Sequence, residues 1–215
     1  QRQMCIRDRS NKFTNRLKII VNFFLSKIRL KIVRDLPLIY IHEYKSYEEY
    51  STTQKFYNKK KINSVRSDEA TLKKIANRLL SDNNLNSNSL KGICHGSRNG
   101  YEVQKLLDYL ENSEIIGTDI SETAIDYPNQ IIWDFHNENS EWFQKFDFVY
   151  TNSLDQSWKP FVALDTWFDQ LKPNGLLFIE HTRAHGPECA SEMDPFGVAP
   201  EYMPYIIAEH FGRKV

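Results

Sequence analysis

The chain lacks several features that would narrow its function at once. Its 215 residues carry 28 basic and 28 acidic side chains, so no net charge attracts the protein towards nucleic acid. Its three cysteines, Cys5, Cys94 and Cys189, are too few and too scattered for a disulfide framework or a C-x-x-C metal site. Cys94 adjoins His95, but no further ligand follows at metal spacing, so we expect no metal site. This cysteine usage favours a reducing compartment and predicts a cytoplasmic protein.

A long hydrophobic run is also missing from the basic N-terminal segment. The apolar run from Ile19 to Leu25 is interrupted by Asn22 and falls short of the ~20 residues that a membrane-spanning helix needs. Residues 11–36 carry no acid before Asp35 and predict a helix that ends at Pro37. Two interpretations remain open: a helix packed on the domain with solvated lysines, or a helix lying on an anionic membrane surface.

The two ends of the sequence need separate treatment. The first nine residues, QRQMCIRDR, resemble translated adapter sequence and are not expected to belong to the fold. The abrupt end at GRKV predicts an incomplete C-terminus. Residues 213–215 are expected to begin a sixth strand, so the sheet is expected to stop before the sixth and seventh strands.

The remaining composition is that of a folded protein. A hydrophobic fraction of 40% and an aromatic fraction of 13% suffice for a core. Residues 38–64 mix tyrosine, lysine and glutamate, which favours a linker or solvated face over a surface that stacks nucleic-acid bases. The length predicts a basic helical extension and linker over residues 10–66 and one domain over residues 67–215.

Short apolar strands alternate with helices from Ser67 onwards. The predicted strands are 90–94, 113–119, 131–135, 146–152 and 175–181. The first predicted helix begins at Ser67, and further helices are predicted over 100–110, 122–127, 161–171 and 201–211. Strands separated by helices imply right-handed crossovers. The sequence therefore predicts an α/β fold, with a Rossmann-like, mostly parallel sheet and flanking helices.

Polar residues follow the predicted strands at the edge where such sheets bind ligands. The first strand runs into a turn containing Gly96 and Gly100, where glycine lets the backbone approach a ligand and the next helix offers free N–H groups. Asp119 ends the second strand about 20 residues later, where an acid can accept hydrogen bonds from ribose. Asp134 stands in the third predicted strand. The spacing predicts a nucleotide-type cofactor site.

Five segments in this order carry a family resemblance. Residues 92–100, GTDIS (117–121), WDFH (133–136), FDFVYTNS (146–153) and LKPNGLLFIEH (171–181) resemble the motifs of class I S-adenosylmethionine-dependent methyltransferases, over residues 68–215. The first motif departs from the family pattern, with Gly92 in the place of an acid and Cys94 in the place of the first glycine. The resemblance implies S-adenosylmethionine as cofactor, bound by Gly92, Cys94, Gly96, Asn99, Gly100, Asp119, Ile120, Asp134, Phe135 and Asn152.

Methyl transfer from a sulfonium can be catalysed largely by holding the two reactants in line. A hydroxyl acceptor also benefits from a base, and the candidates at the ends of the fourth and fifth strands are His181 and Asp155, with Glu180 and His185 as further ones. His181 packing inside the core is the competing interpretation. The segment after the fourth strand lacks the Asn/Asp-Pro-Pro-aromatic motif that resembling enzymes use on exocyclic amines.

The expected function is therefore methyl transfer to a small-molecule, glycan or lipid-linked acceptor, with nucleic acid disfavoured. A non-catalytic interaction domain of the same fold is the first alternative, because of the departures at Gly92 and Cys94. A nicotinamide-dependent (NAD) oxidoreductase is the second, although the turn does not keep the spacing G-x-G-x-x-G.

Overall fold

A computed structural model describes residues 37–85 and 89–212. The predictions for residues 1–36, including the N-terminal helix and its membrane contact, lie outside the described residues, and so does the predicted strand start at 213–215. Within the described ranges, no helix is long and apolar enough to cross a membrane.

The described chain begins with a strand and two helices. These are β1 (Ile39–Ile41), α1 (Tyr47–Lys60) and α2 (Glu69–Leu80). α1 begins after Ser46 and α2 after Asp68, and each of these side chains accepts a hydrogen bond from a backbone N–H of the first turn. The apolar side of α2 is buried through Leu72, Ile75, Ala76 and Leu79.

The segment 38–64, predicted as a linker or solvated face, is structured instead. Its helix α1 buries Tyr50, Gln54 and Asn58, which recur every fourth residue and so share one face of the helix. Two of these three side chains are polar, and for this reason apolar periodicity did not identify the face. α1 packs on the domain that was predicted to begin only at residue 67.

Five strands form the central sheet. In chain order the elements are β2 (Lys91–His95), α3 (Tyr101–Tyr109), β3 (Glu114–Asp119), β4 (Gln130–Ile132), β5 (Phe146–Thr151), α4 (Pro160–Asp169) and β6 (Leu171–Ile179). All paired strands run parallel, in the order β4-β3-β2-β5-β6. The chain leaves β2 towards β3 on one side and later returns to pair β5 on the other, and ligands bind at such a reversal. The predicted Rossmann-like α/β fold is confirmed.

Several boundaries differ from the prediction. β4 ends at Ile132, so Asp134 lies beyond the strand rather than within it. The short helix predicted over 122–127 is a single 3-10 segment, Glu122–Asp126. β6 begins at Leu171, before the predicted turn, and its register against β5 shifts between Phe146 and Phe148.

The chain then returns to its described beginning. β7 (Phe196–Val198) pairs antiparallel with β1 in a separate two-stranded sheet, and α5 (Met203–Phe211) follows. This pairing fixes the residues before α1 against the long loop after β6. Both segments thereby lie close to the carboxyl ends of the central strands, the edge at which such sheets bind ligands, which we call the functional edge.

The core lies on both faces of the central sheet because successive strand residues point to opposite sides. Ile93 and Val149 belong to a cluster that also contains residues of α4, α5 and β7. The largest fully buried side chain of this cluster is Trp167. Phe148 and Tyr150 belong to the cluster on the other face, with α2 and α3. This arrangement holds the carboxyl ends of β2, β3 and β5 in fixed positions.

Candidate functional site

The turn after β2 is shaped by two glycines with left-handed backbone angles, Gly96 (φ +68) and Gly100 (φ +72). A Cβ atom on Gly96 would lie 2.5 Å from the Cβ of Ser153, so the missing side chain lets this turn approach the loop after β5. Gly100 precedes α3 and has no side chain to cap it, while Asn99 Oδ1 accepts the backbone N–H of Tyr101 at 3.3 Å. The turn therefore presents backbone groups at the functional edge.

Two small cavities lie at this edge. The first, which we call the Asp119 cavity, is lined by five of the predicted cofactor residues: Gly96, Asp119, Ile120, Asp134 and Phe135. The second, the Asp155 cavity, is lined by Gly96, Asn99, Asn152 and Asp155 among others. Gly96 and Gln156 border both cavities. The volumes of the Asp119 and Asp155 cavities are about 20 and 30 Å³, which is enough room for one or two water molecules each.

Asp119 ends β3 as a buried carboxylate with three protein donors. Its Oδ2 accepts hydrogen bonds from Asn58 Nδ2 at 2.8 Å and from the backbone N–H of Arg98 at 3.1 Å. Its Oδ1 accepts the backbone N–H of Ser121 at 2.9 Å. Burial raises the pKa of Asp119, and these hydrogen bonds offset only part of that effect.

Asp134, beyond the end of β4, is engaged in a similar way. Its Oδ1 accepts hydrogen bonds from the backbone N–H and from the Nδ1–H of His136, at 3.0 and 2.6 Å. Its Oδ2 accepts one from the hydroxyl of Tyr47 at 2.9 Å. Burial opposes the ionisation of Asp134, but the contacts with His136 and Tyr47 outweigh it and hold its pKa below the usual value. His136 Nε2 lies 2.7 Å from the hydroxyl of Ser157.

Helix α1 covers the Asp119 cavity and contacts both carboxylates. Asn58, near its C-terminal end, bonds Asp119, while Tyr47, at its start, bonds Asp134. Between them Tyr50 stacks on Trp158, with ring centroids 5.4 Å apart and planes at 16°. Sequence reasoning missed these residues because no apolar stripe marks the helix. The only signal was the recurrence of Tyr50, Gln54 and Asn58 every fourth residue.

The Asp155 cavity brings together charges of both signs. Its walls carry three basic side chains, three acidic ones and a histidine: Lys61, Arg66, Arg98, Glu102, Asp155, Asp194 and His185. Burial lowers the pKa of Lys61 and of Arg98 and raises that of Glu102. Burial also raises the pKa of Asp155 to about 7, and burial together with the charge of Asp155 raises that of Asp194 to about 6. A ligand with positive and negative groups would be complementary to these walls.

Asn152 links the end of β5 to this cavity. Its Nδ2 donates to the hydroxyl of Ser67 at 2.8 Å and to Glu102 Oε1 at 3.2 Å. The Ser67 hydroxyl also contacts that of Tyr150, which donates to Glu180 Oε2 at 2.8 Å. This polar network fixes the predicted residue Asn152 beside the turn after β2.

The two catalytic candidates are placed differently. Asp155 lines its cavity, whereas His181 lines neither of the two cavities and its Nε2 lies 2.9 Å from the carbonyl oxygen of Val198. The histidine at the Asp155 cavity is His185, whose Nε2 lies 3.8 Å from Asp155 Oδ2. The rings of His181 and His185 are 5.3 Å apart. His181 therefore does not line the cavity and lies behind His185, which does.

Three of the predicted cofactor residues, Gly92, Cys94 and Gly100, line neither cavity. Gly92 lies inside β2, where a Cβ atom would be 2.1 Å from the ring of Phe148, so it serves packing. Cys94 is fully buried in the core, and burial raises the pKa of its thiol. Both lie inside β2, which runs from Lys91 to His95, and not in the turn that follows it.

Comparisons with known proteins place the fold. No family model and no curated protein matches the sequence. A Burkholderia thailandensis 1,6-didemethyltoxoflavin-N1-methyltransferase, solved with that compound and S-adenosylhomocysteine, is similar with a TM-score of 0.57 at 12% identity, over 79% of this chain and 80% of that one. The plantazolicin methyltransferase BpumL, solved with a triazolic desmethylPZN analog and SAH, gives a TM-score of 0.51 at 14% identity, over 76% and 68% of the two chains.

The CurJ carbon methyltransferase gives a TM-score of 0.51 at 17% identity over 66% of this chain. The chain spans 46% of the length of that protein. At such identities the likeness concerns the fold alone.

Proposed function

We propose that this chain, which has the fold of class I S-adenosylmethionine-dependent methyltransferases, binds S-adenosylmethionine and transfers its methyl group to a small-molecule, glycan or lipid-linked acceptor. The observation that carries the proposal is the Asp119 cavity. Gly96, Asp119 and Asp134 follow three different strands, β2, β3 and β4, and line one cavity at the reversal of strand order. Acids at these positions suit the hydroxyls of a ribose and the amino group of an adenine, with Ile120 and Phe135 beside the ring.

The Asp155 cavity suits the other end of the same molecule. A methionine end carries a carboxylate, an ammonium and a sulfonium, and the cavity walls carry cations such as Arg98 and anions such as Glu102 and Asp194. Because Gly96 and Gln156 border both cavities, a molecule bound through both would lie along the turn after β2. When bound, the cofactor supplies the methyl group that is transferred.

Helix α1 has to yield before such a molecule can bind. Ligand sites usually occupy roughly 300 to 1,000 Å³, whereas the Asp119 cavity holds one or two waters. Asn58 and Tyr47 donate to the oxygens of Asp119 and Asp134 that the ribose and the adenine would use. We therefore expect α1 to move outwards during binding and to cover the bound molecule afterwards, which would exclude water.

The residues of this chain then have distinct roles. Asp119 and Asp134 orient the nucleoside end, the charged walls of the Asp155 cavity orient the methionine end, and this positioning supplies much of the catalysis. Asp155 is placed to act on the acceptor, while His181 acts through His185 as a positioning residue.

Calorimetry with S-adenosylhomocysteine and with NAD tests the proposal. We expect S-adenosylhomocysteine to bind and NAD not to bind. Binding of NAD alone would favour the oxidoreductase, and binding of neither would favour a non-catalytic interaction domain, the function for which the departures at Gly92 and Cys94 argue.

The N-terminal segment 11–36 keeps the two interpretations that its sequence allows. Co-sedimentation of residues 10–215 with vesicles of anionic lipid separates them. Contact with an anionic membrane predicts binding that weakens as salt is added, since salt screens charges. Absence of binding at low salt assigns the segment to ordinary packing in a cytoplasmic protein.

A further inference from the structure

One carboxylate oxygen of Asp155 has no hydrogen-bond partner among the residues that the structure describes. The residue lies in the short 3-10 segment after β5, is 7% exposed and lines the Asp155 cavity. Its Oδ1 is buried and has no partner at hydrogen-bond geometry among the described residues, although the backbone N–H groups of Asp155 and Gln156 lie near enough to the carboxylate to lower its pKa. An unsatisfied buried acceptor destabilises the fold, so its retention at a cavity wall points to a ligand that donates to it.

The other oxygen, Oδ2, faces a histidine of fixed orientation. The backbone N–H of Thr182 donates to His185 Nδ1 at 3.2 Å, so Nδ1 holds a lone pair. The hydrogen of the neutral ring is therefore on Nε2, which lies 3.8 Å from Asp155 Oδ2. Burial lowers the pKa of His185, so the ring is neutral at pH 7 and presents this N–H to the carboxylate.

The charges around Asp155 come from several elements. Lys61 follows α1 and Arg98 follows β2, and both cations lower the pKa of Asp155. Asp194, in the loop before β7, carries a carboxyl whose pKa is raised in turn by Asp155. Glu102, at the start of α3, already accepts a hydrogen bond from Asn152 at 3.2 Å. Among the acids of this cavity, Asp155 is the one with His185 beside its Oδ2 and with no hydrogen-bond partner at its Oδ1 among the described residues.

We propose that Asp155 Oδ1 accepts the proton of the acceptor's nucleophile, and that the acceptor is therefore methylated at an O–H or N–H group. This inference rests on the proposed function. A bond forms between the methyl carbon and the acceptor's oxygen or nitrogen while the carbon–sulfur bond breaks, and its electron pair stays on sulfur. The proton of the acceptor passes to Asp155, which becomes a neutral carboxylic acid and later releases the proton to water.

The titration of Asp155 fits this role. Burial raises its pKa to about 7, and a base is most effective when its pKa lies near the working pH. The carboxyl is protonated below that value and loses its function as a base. The rate of methyl transfer is therefore expected to rise with pH through about 7 in the wild type and to lose this step in D155N.

The experiment uses the full chain and a defined panel of probes. Phenol, catechol, glucose and benzylamine carry a hydrogen on the nucleophilic oxygen or nitrogen, whereas pyridine and N,N-dimethylaniline are nucleophiles without one. Methylation is followed as formation of S-adenosylhomocysteine, and binding to the S-adenosylhomocysteine-loaded protein is followed by the NMR signals of His185. D165N is the matched control, because Asp165 also pairs with a histidine, His210 at 2.9 Å, but is exposed on α4.

We expect only probes with an O–H or N–H to be methylated. D155N should lower kcat on them by about 100- to 10,000-fold with little change in KM, while D165N keeps the wild-type value. Three results would overturn the inference: faster methylation of the proton-free probes, a wild-type kcat in D155N, or no shift of the His185 signals with any O–H or N–H probe.

The wild-type pH profile and the His185 signals need no variant, so the test survives a D155N protein that does not fold. Failure of S-adenosylhomocysteine to bind the wild type would instead reject the proposed function. The two failures are therefore distinguishable.

Discussion

Removing the amide of Asn58 should tighten cofactor binding rather than weaken it. Asn58 Nδ2 donates to Asp119 Oδ2 at 2.8 Å in a buried position, and a ribose hydroxyl would have to take that place. Asn58→Ala removes this competing bond from the free protein and leaves the bound state unaffected if α1 has moved away. The variant therefore isolates the competition between helix and cofactor.

The size of the effect follows from the charge of the acceptor. A hydrogen bond to an ionised group contributes about 1.5 to 3 kcal/mol, so affinity for S-adenosylhomocysteine should rise by about 10- to 150-fold as an upper limit. The second contact of Asn58, in which its Oδ1 accepts from Thr123 at 3.3 Å, is long and adds little. The free variant should be less stable to unfolding by a comparable amount, reduced by the roughly 0.5 kcal/mol by which alanine favours a helix.

Isothermal titration calorimetry of the wild type, Asn58→Ala and Asn77→Ala measures the affinity. Asn77 is an exposed asparagine on α2 and controls for the change in helix propensity. Weaker binding by Asn58→Ala would refute the reasoning, since it would mean that Asn58 contacts the bound cofactor. Unchanged binding would show that a ribose bonds Asp119 alongside Asn58.

Three further predictions follow from single contacts. Asp119→Ala should weaken S-adenosylhomocysteine binding by about 10- to 150-fold in calorimetry, whereas the exposed Asp126→Ala should not, and equal affinities would mean that the site is elsewhere. Gly92→Ala places a Cβ 2.1 Å from the ring of Phe148 and should lower the free energy of unfolding by about 1 to 3 kcal/mol in urea titrations; a loss of binding in the folded variant would assign Gly92 to the site after all. The pKa of Asp155 is raised to about 7 in the folded state, so the folded protein binds the carboxyl proton of Asp155 more tightly than the unfolded chain does. Protonated Asp155 therefore contributes to stability below about pH 4, and this contribution is lost as the pH rises to 7. Urea unfolding between pH 4.5 and 7.5 should show a smaller loss in D155N than in the wild type, and parallel curves would contradict the raised pKa.

The sheet could be predicted because its strands carry their own signals. Each central strand contains a short apolar stretch from which its existence follows, although in β6 that stretch, residues 176–179, covers only the second half of the strand. Asp119 lies at the end of its strand as expected, because β3 ends in Gly117-Thr118-Asp119 and its last residue places its side chain at the carboxyl edge of the sheet. Asp134 reaches the same cavity although β4 ends two residues earlier than it.

The cover of the site could not be predicted, because it depends on contacts between distant residues. The burial of Asn58 becomes favourable only once Asp119 provides an acceptor, and nothing in the neighbouring residues indicates that partner. The same reason applies to His185, whose position is set by the loop that β7 fixes against β1. Gly92 and Cys94 lie within β2, as the predicted strand 90–94 already implied, and their assignment to the cofactor stays a prediction of the family resemblance.

The pairing of β1 with β7 has a consequence for the order in which the molecule assembles. It joins Ile39 to Val198, near opposite ends of the described chain, whereas the pairing of β2 with β3 joins residues much closer in sequence. Contacts of long sequence separation form slowly because a large loop must close first. We therefore expect the central sheet to form before the strand pair that anchors the residues preceding α1. A newly folded chain would then pass through a stage in which the crevice is open, and cofactor captured at that stage would be enclosed without any later opening of the helix.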